Sequence, residues 1–405
     1  MQAGIHTPIS ITEKWRQHFT LTLPDTSVGC IWLHACSVGE VASVTPLIRA
    51  LLNQGHTIHL SVVTATGFAH ARRLLGKRIS ISFLPWDLPG TMSRFVNRLQ
   101  PALLLLAETE FWPGMLTACK QRNIAVIGIN TRISDRSFPR YKASRWLWQR
   151  WLKPVALFLA QSDTDRARLI AIGVPEERVR TCGNLKYAIT APNVDSSQLR
   201  EKADQSGRRP ILLVASTHQG EDERILKLWE QWHAACPDLL MLIVPRHPER
   251  FNAVAELIRA RGHSLSRWSD ETTHSTADVV LVDAMGILGG LYCIADVVIV
   301  AGSLEPVGGH NPLEAAVCGR GVVTGPHTQN FRQIMTEMQQ ANAAIVTRND
   351  PELAAAVTRL LHHPEELTQL HASAALFMQD KGHALEQMLA AIKPYLPEIT
   401  TAARA

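Results

Sequence analysis

No stretch of this sequence approaches the roughly 18 consecutive apolar residues that a membrane-crossing helix needs. Residues 1–27 are polar and mixed, so neither a signal peptide nor a transmembrane anchor is expected there. Cysteine is sparse: there are 7, an odd number, with no CxxC pair. That excludes a disulfide framework, gives no basis for structural zinc and favours a reducing compartment. A large excess of charge of one sign is also lacking, with 41 Lys and Arg against 36 Asp and Glu. The formal net charge of +5 announces no nucleic-acid partner, though it suits a phosphorylated substrate or an anionic membrane face. Hydrophobic residues make up 46% and charged residues 19%, so global disorder is excluded. At 405 residues the chain is too long for one core, and two domains are expected.

What the chain does have is a rhythm of apolar runs and amphipathic segments. Residues 30–35, 59–63, 79–84, 102–106, 124–129, 156–161 and 179–182 read as strands with helices between them. Such alternation predicts a parallel sheet, whose ligand groups sit at the carboxyl ends of its strands. Several candidates fall there. Ser37 and Glu40 have capping-box spacing, so Glu40 is either a helix cap or a carboxylate poised above the sheet. Glu108 and Glu110 follow the strand at 102–106, beside Trp112, as a solvated pair or as site residues. Lys186 follows the strand at 179–182 and is either a phosphate or anion partner or a surface lysine. Between Arg136 and Lys153, basic residues including Arg145 alternate with Trp146, Trp148 and Trp151. A basic, Trp-bearing helix suits the headgroup layer of an anionic membrane; the same residues suit a surface helix packing its Trp face on the sheet.

Residues 190–209 are polar, lack an apolar period and read as a linker. Strand and helix signals then restart, with strands at 210–214, 239–244, 279–282, 297–300, 321–324 and 343–346. The expected domains are 1–189 and 210–380, with a C-terminal helix in 381–405 returning to the first. Arg246, after Pro245 at a strand end, has the geometry to pair bidentately with a phosphate, or belongs to a surface charge cluster with Glu249 and Arg250. Met285 and Gly286 open the next helix, followed by Ile287. The strand at 297–300 leads to Gly308, Gly309, His310, Asn311, Pro312, Leu313 and Glu314. Asn311 suits an N-cap, Pro312 the first helical position, and Glu314 lies three residues past the cap. A glycine loop feeding a helix N-terminus offers N–H groups and a positive dipole end to a phosphate; a capped helix with no ligand has the same sequence. Two such halves, each with roughly six strands, predict sheets that enclose a single cleft, as in nucleotide-sugar transferases.

Taken in order, HACSVGE, PWDLPG, LAETEFWP, INTRISDRS, GNLK, ASTHQGE, VPRHPERF and GGHNPLEA resemble the 3-deoxy-D-manno-octulosonic acid (Kdo) transferases of the lipopolysaccharide inner core, across residues 30–400. The resemblance implies an α/β fold of GT-B type: two Rossmann-like parallel-sheet domains facing a central cleft. The N-terminal half binds the acceptor and the C-terminal half binds CMP-Kdo. It further implies inverting transfer of Kdo from CMP-Kdo to a lipid A precursor (lipid IVA), with no metal and no cofactor, at the cytoplasmic face of the bacterial inner membrane. By the same resemblance Glu40 is the general base, and Glu108 and Lys186 stabilise the transition state. Pro245, Arg246, Met285, Gly286, Ile287, Gly309, Asn311, Leu313 and Glu314 contact the CMP-sugar. Arg136, Arg145, Trp146, Trp148 and Trp151 face the acceptor and the anionic membrane.

The chemistry is consistent with these roles. A sugar hydroxyl is a poor nucleophile unless a base takes its proton. A helix N-terminus is expected to lower the pKa of Glu40. Arg246 and the helix start at Asn311 would receive the charge of the departing phosphate, and Glu314 the ribose hydroxyls. The sequence departs from the family pattern at four places. The N-terminus is polar where an apolar anchoring helix is usual, Ile287 replaces a common glutamate, Gln219 a usual acid, and Gly114 a usual asparagine. A UDP-sugar transferase of the same architecture, or a non-catalytic membrane-peripheral homologue, are the competing readings; nucleotide preference and turnover separate them.

Overall fold

The structure, a computed structural model, describes residues 11–22, 28–204, 206–270 and 277–398. Much of the polar N-terminal stretch therefore lies outside the described residues. Two compact units divide the chain: Met1–Ala188 with Lys381–Ala405, and Ile189–Asp380.

The first unit is a parallel sheet of seven strands: β1 (Ile31–His34), β2 (Ile58–Val62), β3 (Ser80–Phe83), β4 (Leu103–Ala107), β5 (Ala125–Thr131), β6 (Leu157–Ala160) and β7 (Val179–Thr181). Their order is β3-β2-β1-β4-β5-β6-β7, with β1 in parallel register against both β2 and β4. The strands read as continuous apolar runs because both faces are covered. Along β4, Leu103 and Leu105 join a core cluster with Leu47, Ile48 and Leu51 of the helix Val38–Asn53. Leu104 and Leu106 face the other way, onto Met92 and Phe95 of the helix Pro89–Leu99. The C-terminal helix Ala384–Ile392 buries Met388 and Ile392 in the first of these clusters, which ties the chain end to this unit.

The second unit repeats the plan with β8 (Ile211–Thr217), β9 (Leu240–Pro245), β10 (Leu265–Arg267), β11 (Val279–Leu281), β12 (Val297–Val300), β13 (Val322–Thr324) and β14 (Ala344–Val346), in the order β10-β11-β9-β8-β12-β13-β14. β10 was not foreseen: three half-buried residues at a sheet edge carry no readable period. Residues 190–209, expected as a linker, belong to this unit and contain the helix Ser196–Ala203. Asp195 caps it, and Arg200 bonds the Ile294 carbonyl and Asp296. Its buried face is too narrow to show a period, since Ala203 is its one buried residue. No helix among the described residues is long and apolar enough to cross a membrane.

In both sheets the strand order reverses direction beside the first strand, between β1 and β4 and between β8 and β12. A crevice at such a reversal, outside the carboxyl ends of the strands, is where sheets of this kind bind ligands.

Candidate functional site

In the first unit the reversal is lined by the segments after β1 and β4. Residues Ala35 to Ser37 turn into the helix Val38–Asn53, and Glu40 sits in its first turn. Its Oε2 accepts from the backbone N–H of Cys36 at 2.8 Å, and its Oε1 from the Ser37 hydroxyl at 2.8 Å. The Ser37 oxygen in turn accepts from the Glu40 N–H at 3.4 Å. Glu40 is thus both a cap and a half-buried carboxylate. The expected lowering of its pKa does not hold. Burial raises the carboxyl above its ordinary range and the Glu110 charge adds to this, outweighing the two hydrogen bonds and the attraction of His34.

Glu108 follows β4 in the left-handed region, at φ 52°, and its N–H donates to the Ile129 carbonyl at 3.0 Å. For a non-glycine residue this backbone costs on the order of 1 kcal/mol and aims the side chain off the strand path. Its carboxyl is also raised, by burial first and by the Glu40 charge, with Lys186 and Arg132 pulling the other way. Lys186 itself is exposed. Its loop is held by Asn130, fully buried at φ 49°, whose Oδ1 accepts from the Leu185 N–H at 2.9 Å. Asn184 accepts from the Lys186 N–H and donates to Gln161. The structure therefore brings Glu40, Glu108 and Lys186 into one electrostatic group. It adds His34, which the sequence does not single out, and Glu110, which the sequence leaves open as a solvated acid or a site residue. Glu110 accepts from the Trp112 indole at 2.9 Å and lies beside the buried His34. Burial would raise the Glu110 carboxyl, but the His34 and Trp112 contacts hold it below its usual range. HACSVGE and LAETEFWP contain these residues, so the signal was present without a means of pairing them.

In the second unit, Arg246 follows β9 beside the buried Pro245; its N–H donates to the Thr217 carbonyl, and its guanidinium makes no ion pair among the described residues. Gly309 lies at φ 81° and donates its N–H to the Gly302 carbonyl at 2.6 Å. The preceding Gly308 lies at φ 113°, a backbone conformation that favours glycine, with the exposed Asn330 side chain packed against it. The Asn311 side chain accepts from the Leu313 N–H at 3.2 Å. The helix behind it is only Leu313–Ala316. The expected macrodipole site is therefore reduced to the local N–H groups of one turn, because aligned peptide dipoles need length to add. Leu313 is buried, and Glu314 is exposed. The atoms packed around Glu314 raise its carboxyl, while Arg246 pulls it down. Met285 is exposed, Gly286 is at φ 84°, and Ile287 is half-buried at the start of the helix Leu288–Ile294.

Three features of this unit were not anticipated. The fully buried Glu221 accepts from the N–H groups of His218, Gly302, Ser303 and Leu304, so one carboxylate fastens the loop after β12 to the turn after β8. The rings of His218 and His310 stack 5.1 Å apart with their Nε2 atoms at 2.9 Å, and burial first and His218 second push the His310 pKa down to about 4. Cys293 and Cys318 pair as a disulfide, contrary to the expectation from cysteine usage. They lie 25 residues apart, a spacing that carries no motif, and the fold brings their Cα atoms to 5.0 Å.

The expected basic, Trp-bearing helix is broken at Ser144 into Phe138–Ala143 and Arg145–Trp151. Trp146 is 73% exposed, whereas Trp148 lies tilted against Tyr141, ring centroids 4.3 Å apart, and packs against the core. Trp151 is half-buried against Trp148, and Arg136 and Arg145 are exposed. The three tryptophans do not form one outward face.

Against known proteins, the family model described as "3-Deoxy-D-manno-octulosonic-acid transferase (kdotransferase)" matches residues 13–189. The 3-deoxy-D-manno-octulosonic acid transferase of Haemophilus influenzae is 38% identical over 378 residues, 90% of this chain and 87% of that protein. That of Bordetella pertussis is 32% identical over 379 residues, 90% of this chain and 87% of the other. A crystal structure of a glycosyltransferase from Rickettsia africae is 16% identical, with TM-score 0.51, over 92% of this chain and all (100%) of that one. It shares the fold, two Rossmann-like units of GT-B type. On the identity and coverage of the first two relatives, the chain belongs to the 3-deoxy-D-manno-octulosonic acid transferase family.

Proposed function

We propose that this Kdo transferase moves Kdo from CMP-Kdo to a lipid A precursor, lipid IVA, with inversion and without a metal. The observation that supports this best is the grouping of Glu40, Glu108 and Lys186 at the carboxyl edge of β1 and β4. Glu40 takes the proton of the acceptor hydroxyl. Its raised pKa makes it a stronger base than an ordinary glutamate. The Cys36 and Ser37 donors each occupy one lone pair of the carboxylate and leave others for the hydroxyl. Glu108 and Lys186 balance charge around the reacting sugar. The donor half of the reaction falls to the second unit, where Arg246, Gly309 and Asn311 meet the CMP phosphate and Glu314 the ribose hydroxyls. Ile287 offers backbone groups there and no carboxylate. Trp146, with Arg136 and Arg145, contacts the cytoplasmic face of the inner membrane.

The test is the product. Purified chain, CMP-Kdo and lipid IVA are expected to give CMP and a lipid heavier by whole Kdo residues on mass analysis. An unchanged lipid mass, or equal turnover with a UDP-sugar, would overturn the reading.

A further inference from the structure

His34 ends β1 with a fully buried ring. Its Nδ1 lies 3.0 Å from the carbonyl oxygen of Ser61 and 2.9 Å from the hydroxyl of the same residue. The carbonyl oxygen accepts a bond from Nδ1–H, and the Ser61 hydroxyl, itself bonded by the Trp32 indole N–H, lies against the same nitrogen. Nε2 makes no hydrogen bond and points at Glu110, 3.8 Å from its Oε2. A buried ring nitrogen without a hydrogen bond therefore faces a carboxylate, and a cation placed between them would satisfy both. The Cys36 sulfur and carboxylate oxygens of Glu40 and Glu110 all lie within 4.8 Å of one another.

Ligand atoms on a tetrahedral zinc ion, at about 2.0–2.3 Å from the metal, are roughly 3.3–3.8 Å apart, so Cys36, Glu40 and Glu110 need only small shifts to share one ion, with His34 Nε2 brought to it from beside Glu110, 3.8 Å away. A thiol, an imidazole and carboxylates form a donor set that favours zinc over magnesium or calcium. The supporting contacts are also those of a metal site. The other ring nitrogen of His34 lies 3.0 Å from a backbone carbonyl, and Trp112 and Ser37 hold the two carboxylates through hydrogen bonds.

We propose that His34, Cys36, Glu40 and Glu110 form a binding site for Zn2+. On binding, the Cys36 thiol loses its proton to solvent and the sulfur becomes a ligand; no redox change is involved. The consequence, which rests on Glu40 being the base, is that the bound ion occupies that carboxylate and arrests transfer.

The experiment titrates the metal-free full chain with Co2+ and then Zn2+. One Co2+ per chain is expected to bind with a thiolate-to-cobalt charge-transfer absorption and release of about one proton, and Zn2+ is expected to displace it. Cys36→Ser should abolish the absorption. Glu110→Gln, which keeps the thiol, should weaken Co2+ binding roughly tenfold or more. Absence of the band, or a band that survives Cys36→Ser, overturns the proposal; the relief of the His34–Glu110 contact would then come from a proton. Transfer assays separate the two readings. If Zn2+ binds as described and transfer continues unimpaired, the site stands and Glu40 is not the base. If Glu40→Ala stops transfer but no ion binds, the base stands and the site falls.

Discussion

Replacing Glu221 with glutamine probes how the donor-side loop is held. In the native fold Oε1 accepts from the N–H groups of Ser303 at 3.0 Å and Leu304 at 2.8 Å. Oε2 accepts from His218 and Gly302, both at 2.8 Å. Glutamine has the same shape but turns an NH2 group toward one of these pairs. Two hydrogen bonds to a charged acceptor are lost, each worth about 1.5–3 kcal/mol, and two buried donors are left facing another donor. The cost is roughly 3–6 kcal/mol, a large part of a typical stability of about 5–15 kcal/mol. Amide hydrogen exchange reads this locally, which matters because a chain of two units need not unfold in one step. Protection of the Gly302, Ser303 and Leu304 amides is expected to fall roughly a hundredfold or more, at 1.4 kcal/mol per factor of ten. CMP affinity should weaken with it, since Gly309 hangs from the Gly302 carbonyl. A loss of protection under about tenfold, with an unchanged urea midpoint, would refute the anchoring role of this carboxylate.

Burial and charge motivate two other substitutions. Glu108 has a folded-state pKa above its unfolded value, so its ionised form is disfavoured by the fold. The Glu108 contribution to stability is therefore greatest below the unfolded pKa and is lost as pH rises through the folded one. Glu108→Gln should raise the melting temperature relative to the native chain at about pH 8 and lose that advantage near about pH 3; a gain independent of pH would contradict the shift. Trp146→Ser should weaken binding to anionic vesicles several-fold with little change in melting temperature. Trp148→Ser should instead cost about 1–3 kcal/mol of stability through lost packing on Tyr141. Equal loss of vesicle binding in both variants would count against Trp146 as the contact.

The βα rhythm was legible because buried parallel strands are uninterrupted apolar runs; the strand at Val297–Val300 was read to the residue. The edge strand β10 was hidden because half-buried residues at a sheet edge need not be apolar. Among site residues, positions at strand ends could be read, but environment could not. Glu40 was placed at its helix start, yet the sign of its pKa shift depends on how deeply the turn is packed and on where Glu110 lies, 70 residues along the chain. The Asn311 segment looked like a helix start and proved to be a single turn, followed by Gly319 at φ 70° and the local bonds from Gly319 to Ala316 and from Arg320 to Ala315. Glu221 sits where an ordinary first-turn acid would, and only the folded loop shows that its N–H donors come from two segments.

The most direct measurement is Kdo transfer by Glu40→Ala, taken together with CMP binding to the same protein. The account expects turnover with CMP-Kdo and lipid IVA to vanish while CMP affinity stays at the native value, because every residue assigned to the nucleotide lies in the other unit. Native-rate transfer by this variant would contradict the claim that the Glu40 carboxylate removes the acceptor proton.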